Sequence, residues 1–246
     1  MSKPNSILII NPIIDNTWEI QVKNYVEGLL EKRRKVIMKT ILRGPKSIEC
    51  YYDLELAANG VIELIQEVQK SDENFDAIII NCFGDPGLEA VREICNIPVI
   101  GPGESSLLYA SLLGDRISIV SISKEEKSWI ADPRLITKGM EGIFASFRGT
   151  GLSPSKIVSE KDCVFDVILQ AAKRAVEIDG ANVIVLGCTG MAELAKQIEK
   201  EINIPVVEPL ACAVGIAEIL IDSQLSHSKI LAYREPPKKV IRWERG

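Results

Sequence analysis

Two of the six cysteines in this chain stand in matching surroundings. Cys82 and Cys188 each close a short apolar run, each has a glycine two residues later (Gly84 and Gly190), and each precedes a stretch with helical spacing. A lone cysteine at the end of a buried strand is most often a small hydrophobe, so it is the matched pair that carries the signal. A free thiol titrates near about 8.5, and backbone N–H groups together with the positive end of a helix favour the thiolate, so both sulfurs are expected to have lowered pKa values. Inversion of a stereocentre needs a base on one face of a carbon acid and an acid on the other, because a proton returned to the same face changes nothing. Two equivalent thiols supply both roles and exchange them for the opposite enantiomer. The amides around Phe83-Gly84 and Thr189-Gly190 are the expected donors to the developing enolate oxygen.

The elements that position these cysteines repeat. "DAIIINCFGDPGLEAVREICNIPVI" in the first half pairs with "NVIVLGCTGMAELAKQIEKEINIPVV" in the second, each reading as strand, cysteine, glycine, helix, then Asn-Ile-Pro-Val and another strand. Short apolar runs without alternation, at 7–10, 36–42, 77–80, 99–100, 117–120, 183–186 and 206–207, suit strands covered on both faces. Helical spacing lies between them at 18–33, 55–69, 87–95, 105–113, 165–178, 191–202 and 212–221. The alternation predicts an α/β fold of two pseudo-symmetric lobes, each a parallel β-sheet flanked by helices, with the active site in the cleft between them. The first lobe is expected to comprise residues 1–101 plus 213–246 and the second residues 102–212.

Composition narrows the function classes. At 246 residues and 46% hydrophobic content, the chain is long enough for a sizeable core. A net charge of -5 argues against nucleic acid or an anionic membrane surface, which leaves a small-molecule substrate. The apolar run after the N-terminus is too short for a signal core or a membrane span, so a cytoplasmic protein with free thiols is expected. No Cys-x-x-Cys pair occurs, and the one histidine, His227, lies in a polar Ser-His-Ser stretch and reads as a solvated tail residue. Metal sites and Ser-His or Cys-His dyads are thereby disfavoured. No lysine stands in a recognisable Schiff-base motif, and no cofactor is expected. The basic segment after Asp222 reads as a partly ordered tail or as an arm reaching a neighbouring subunit.

"RGPKSIECYYD", "NCFGDPGLEA", "VLGCTGMAEL" and "IPVVEPLACAV" occur here in the order found in hydantoin racemases. The chain resembles that family within the aspartate/glutamate racemase superfamily, in which allantoin racemases are close relatives. The likeness covers nearly all of the first 220 residues. It implies cofactor-free inversion at the ring carbon of 5-substituted hydantoins or allantoin, Cys82 and Cys188 as the catalytic acid/bases, a cyclic ureide as partner, and homo-oligomers. It also implies that Asn11-Pro12 and the loop carrying Ser47 and Ile48 are substrate walls, joined by Phe83, Gly84, Ser121, Gly187, Thr189 and Gly190. Two stretches depart from the family pattern, Ile13 to Thr17 and "IGPGESSLLYA", and bear on substrate preference rather than mechanism.

Read without the family, Asn11 is a turn residue and Ser47 a polar loop residue, while Ser121 and Ser123 cap or line a turn. Glu104 and Glu208 read as helix-start carboxylates, and Arg43, Lys46 and Arg148 as solvated loop cations. Cys50, Cys95, Cys163 and Cys212 read as packing residues. The alternatives are an aspartate- or glutamate-type racemase, a cysteine-dependent isomerase or decarboxylase, a non-catalytic small-ligand-binding module, and a redox switch at the cysteines.

Overall fold

The computed structural model describes residues 6–122, 138–153, 157 and 161–237. Two four-stranded parallel sheets form its framework. The first contains β1 (Ser6–Asn11), β2 (Lys35–Thr40), β3 (Ala77–Ile80) and β4 (Val99–Ile100) in the order β2-β1-β3-β4. The second contains β5 (Ile117–Ser121), β6 (Phe144–Gly149), β7 (Val183–Leu186) and β8 (Val206–Val207) in the order β6-β5-β7-β8. The orders are the same, so the internal repeat is also a repeat of topology. In each sheet the chain reverses its direction of travel between the first and third strands of the set. The crevice outside the carboxyl ends at that reversal is where open α/β sheets bind ligands.

Seven α-helices are described: α1 (Glu19–Leu29), α2 (Tyr51–Lys70), α3 (Leu88–Ile94), α4 (Pro102–Ala110), α5 (Lys161–Asp179), α6 (Ala195–Ile202) and α7 (Pro209–Asp222). Burial explains why the strands read as unbroken apolar runs. In β1, Leu8 and Ile10 pack beneath α2 and α3 while Ile7 and Ile9 pack beneath α1 and α7, so both faces are covered. On the second sheet, Val120, Ile184 and Leu186 meet α5 and α6, while Ile117, Ile119, Val183 and Val185 meet Leu107 and Ala110 of α4. The chain changes sheets twice. After β4 it enters α4, which covers the second sheet, and after β8 it enters α7, which returns to the first. Both of these helices begin with proline at the first position, where the missing N–H costs nothing and the fixed φ suits the helix.

Three features differ from expectation. Strand β6, "FASFRG", was not anticipated; it is an edge strand in which Ser146 and Arg148 interrupt the apolar residues. The stretch expected as one helix at 191–202 divides into a 3-10 helix, Thr189–Leu194, followed by α6. Helices α2, α4 and α7 each start three or four residues before the apolar spacing suggested.

The segment after α7 is bound rather than solvated, which corrects the reading of His227. Its Nε2 lies 2.8 Å from the Val99 N–H on the free edge of β4, and Tyr233 packs edge-on against the ring. Ser226 donates to the Asn96 carbonyl at 2.9 Å, and Lys229 to the carbonyls of Arg92 and Glu93. Residues 238–246 of the expected arm, and Ser123, lie outside the described residues. Among the described residues no helix is long and apolar enough to cross a membrane.

Candidate active site

Cys82 follows β3 in a tight turn. Its own N–H donates to the Ile80 carbonyl at 2.7 Å, and its carbonyl accepts from the Asp85 N–H at 3.0 Å. Gly84 N–H points back at the sulfur, 3.4 Å from Sγ. Asp85 adopts a left-handed backbone (φ 52°) and carries its carboxylate across to α4, where it accepts from the N–H groups of Gly103 at 2.9 Å and Glu104 at 2.7 Å. A side chain at Gly101 would place its Cβ 2.5 Å from Asp85 Cγ, so the absence of one admits this cap.

Cys188 follows β7 and stands at the start of the 3-10 helix, with its carbonyl accepting from the Met191 N–H at 3.1 Å. Here the Gly190 N–H is the donor to the sulfur, as Gly84 is for Cys82. Gly187, just before it, packs so closely on β5 that a Cβ would lie 2.6 Å from the Ser121 Cβ. Ser121 Oγ donates to the Gly187 carbonyl at 3.0 Å.

The expectation of lowered thiol pKa values is overturned at Cys188. Burial pushes this thiol up to about 11, the Gly190 N–H opposes the rise, and the negative Glu208 adds to it. Desolvation outweighs one hydrogen bond to the charged form. At Cys82 the helix part of the expectation fails for a different reason: α3 begins only at Leu88, beyond a turn, so its positive end is not at the sulfur. The Gly84 and Gly190 amides, expected to serve an enolate oxygen, are turned on the sulfurs.

A cavity of about 230 Å³ lies at the carboxyl ends of the two sheets, and the twelve residues expected to be catalytic or to form substrate walls lie on its wall: Cys82, Cys188, Asn11, Pro12, Ser47, Ile48, Phe83, Gly84, Ser121, Gly187, Thr189 and Gly190. Several of these are committed to the protein itself. Asn11 Nδ2 donates to the Asp15 carbonyl at 2.7 Å and to Thr40 Oγ1 at 3.0 Å, which fixes the loop after β1. Ser47 Oγ donates to Glu49 at 2.8 Å. The Phe83 side chain is buried among Leu107, Ile119 and Val185, and so pins the Cys82 turn onto the core of the second sheet. The wall also contains residues not expected there: Trp18 just before α1 and Val22 within it, Cys50, Tyr51 and Leu54 at the start of α2, Asn81, and Ile122, Leu152 and Ile157. Helical spacing placed Trp18 and Val22 on a helix and left Leu54 just before the next, but could not show which helix ends meet.

Charge is sparse at this wall. Among the described residues that line it there is no lysine, arginine or histidine, and Glu49 is its only carboxylate. Arg43 and Lys46 are exposed and lie off the wall. Arg148, read as a solvated loop cation, is buried in β6 and grips Asp179 through two hydrogen bonds of 2.7 Å. Glu104 is not the cap of its helix, since Asp85 has that role. It is buried against Arg92 and Lys138, and although burial alone would raise its pKa, those two cations hold it down to about 2. Glu208 does cap α7, accepting from the N–H groups of Leu210 at 2.8 Å and Ala211 at 2.6 Å, and it accepts in addition from Tyr25 Oη at 3.0 Å. Cys95 is a buried packing residue as expected, whereas Cys50 and Cys163 are exposed, and Cys50 lines the cavity with its Sγ 3.3 Å from Asp53. Among the described residues no group of three or more His, Cys, Asp or Glu side chains forms a metal-ligand set.

Two parallel sheets, each delivering a glycine-flanked thiol to one cavity, define a two-lobed α/β protein with a paired-thiol site. Comparison with known proteins gives the family. The Asp/Glu/Hydantoin racemase family model matches residues 7–217, and the chain belongs to that family and is a racemase. It is 35% identical to a hydantoin racemase of Pseudomonas sp. (strain NS671) over 95% of this chain and 92% of that protein. It is 32% identical to the hydantoin racemase of Paenarthrobacter aurescens over 95% of this chain and 98% of that one. The crystal structure of allantoin racemase from Pseudomonas fluorescens superposes with a TM-score of 0.85 at 31% identity, covering 96% of this chain and all of that chain. Glutamate racemase from Bacillus anthracis, at 16% identity and a TM-score of 0.63, shares the fold.

Proposed function

We propose that this protein inverts the ring stereocentre of 5-substituted hydantoins by a two-base mechanism without a cofactor, with Cys82 and Cys188 as acid and base. The carrying observation is that the two thiols come from equivalent strand ends of two like sheets onto the wall of one cavity. For one enantiomer Cys82 is the base and Cys188 the acid, and for the other the roles exchange. In the first case the Cys82 sulfur takes the proton from the ring carbon, and the electron pair of the broken C–H bond moves onto the adjacent ring carbonyl as an enolate. Its collapse takes a proton from the Cys188 thiol on the opposite face. The thiolate and thiol have then exchanged places, and proton exchange with water restores them.

The electrostatics of the wall favour a neutral ring over the aspartate- or glutamate-type alternative. An amino-acid dicarboxylate brings negative charges that need cationic or multiple N–H partners once desolvated. The described wall offers no cation, and one carboxylate that would repel it. Its apolar side chains, Trp18, Val22, Ile122, Leu152 and Ile157, suit an apolar 5-substituent. Allantoin is the second reading, supported by the likeness to the allantoin racemase structure.

The test is polarimetry of single enantiomers of 5-substituted hydantoins and of allantoin in deuterium oxide, with no cofactor added. Rotation should decay to zero as deuterium enters the ring carbon. Rotation that persists for every hydantoin would overturn the reading.

A further inference from the structure

The two cysteine turns repeat one another, except at the residue before the thiol. In the second half that residue is Gly187, and the space a side chain would need is filled by Ser121. In the first half it is Asn81, a residue of the cavity wall beside Cys82. Its backbone is occupied in the sheet, with the N–H donating to the Ile10 carbonyl at 2.9 Å. Its side-chain Oδ1 is buried and has no hydrogen-bond partner. Nearly all buried polar atoms in folded proteins are paired, and leaving an amide oxygen unpaired costs about 1–3 kcal/mol, so such an atom at a cavity wall calls for a ligand that completes it.

Resting on the reading of the substrate as a cyclic ureide, we infer that the Asn81 carboxamide is a specificity-determining group that reads the lactam edge of the ring. A carboxamide carries an acceptor and donors side by side. A cyclic ureide presents the complement, a ring N–H beside a ring carbonyl, locked cis by the ring. A rotation about the soft terminal torsion of asparagine turns the buried Oδ1 to the cavity, where it accepts the ring N–H while Nδ2 donates to the neighbouring carbonyl. A free amino acid also sets a donor beside an acceptor, but as a charged ammonium and carboxylate, whose desolvation a single neutral carboxamide does not offset. The position of Asn81 in one half only also fits the task. Proton transfer needs groups on both faces of the stereocentre and so uses the duplicated thiols, whereas reading one edge of a planar ring is one-sided.

The probe is 5,5-dimethylhydantoin, which is achiral and has no hydrogen on the ring carbon, so it can bind without reacting. Its affinity and those of its N1-methyl and N3-methyl derivatives are measured by calorimetry for the wild-type protein and for Asn81→Ala. The wild type should bind the parent roughly tenfold more tightly than at least one N-methyl derivative, and Asn81→Ala should bind the parent roughly tenfold more weakly and lose that preference. Wild-type protein that binds all three alike, or does not bind the parent, overturns the inference whether or not the variant folds. A folded variant that keeps the parent affinity or the preference overturns it as well. Polarimetry of single-enantiomer 5-methylhydantoin with the same wild-type sample separates the two readings. Rotation that persists while the dimethyl ring binds through Asn81 removes the racemisation and keeps the recognition, and decay of rotation with an indifferent Asn81→Ala does the reverse.

Discussion

The turns after β3 and β7 hold their thiols in the same way and anchor themselves differently. In both, the N–H of the glycine two residues on faces the sulfur. The Cys82 turn is tied down from outside its own sheet, by Asp85 capping α4 and by Phe83 buried in the second core. The Cys188 turn runs straight into a 3-10 helix, and the cap of the corresponding helix, α7, is supplied by the residue at its own N-terminus, Glu208. What repeats is what surrounds the thiols, and what differs is what anchors their turns.

The largest effect expected from breaking this likeness is on the thiols. Either Cys82→Ser or Cys188→Ser should lower the racemisation rate by roughly 10²- to 10⁴-fold, since a hydroxyl is a far weaker acid and base partner than a thiol. Initial rates of rotation change measure this, with thermal unfolding as the check on the fold. Near-normal rates in either variant would refute the two-base scheme. Next come the glycines. Gly187→Ala forces a Cβ onto Ser121 inside the sheet and should cost about 1–3 kcal/mol, whereas Gly84→Ala meets only the movable Leu54 Cδ1 end and should cost much less. Urea unfolding midpoints at constant m compare the two.

Smaller still are the caps. Asp85→Ala and Glu208→Ala should each destabilise by about 1 kcal/mol as lost N-caps, but Asp85→Ala should also lower kcat, because it frees the Cys82 turn. Glu208→Gln keeps an acceptor for the cap and removes the negative charge that raises the Cys188 thiol. The sign follows directly: without that charge the Cys188 pKa falls from its value of about 11, and the alkaline limb of the pH–rate profile, where Cys188 loses its proton, moves to lower pH. An unmoved limb would separate Glu208 from the acid.

Much of this arrangement was legible in the residues because the strands that carry the thiols are buried on both faces, and such strands leave unbroken apolar runs such as Ala77–Ile80 and Val183–Leu186. The repeat then marked the cysteines. Symmetry hides whatever is present once, and for that reason Asn81, whose counterpart is Gly187, escaped notice. Asp85 escaped because its partners on α4 are far along the chain, and Arg148 because its edge strand mixes polar with apolar residues. Cys50 was sorted with the packing cysteines although it begins α2 at the cavity wall, a distinction set by how helix ends converge.

The smallest effect concerns the sheet edges, where the halves diverge once more. The outward N–H of Val206 on β8 is bound by Glu199 Oε2 at 3.3 Å, from the helix just before it. The equivalent N–H of Val99 on β4 is bound by His227, brought by the C-terminal segment. Burial lowers the His227 pKa from 6.5 to about 4, the positive Arg92 adds to the lowering, and the Val99 carbonyl oxygen, 3.0 Å from Nε2, and Glu104 oppose it. The ring is therefore neutral when bound, and above pH 6.5 it is neutral when released as well, so it adds no pH dependence there. As pH falls from 6.5 towards 4, the released segment takes up a proton that the bound one refuses, and binding weakens across that window. Hydrogen-exchange protection factors at the Val99 amide should fall relative to those at Val206 over this range, and His227→Gln, which keeps an acceptor but cannot titrate, should flatten the difference. Parallel loss at both amides would instead mean that acid loosens the sheets as a whole and that the C-terminal segment is not a separate latch on the first.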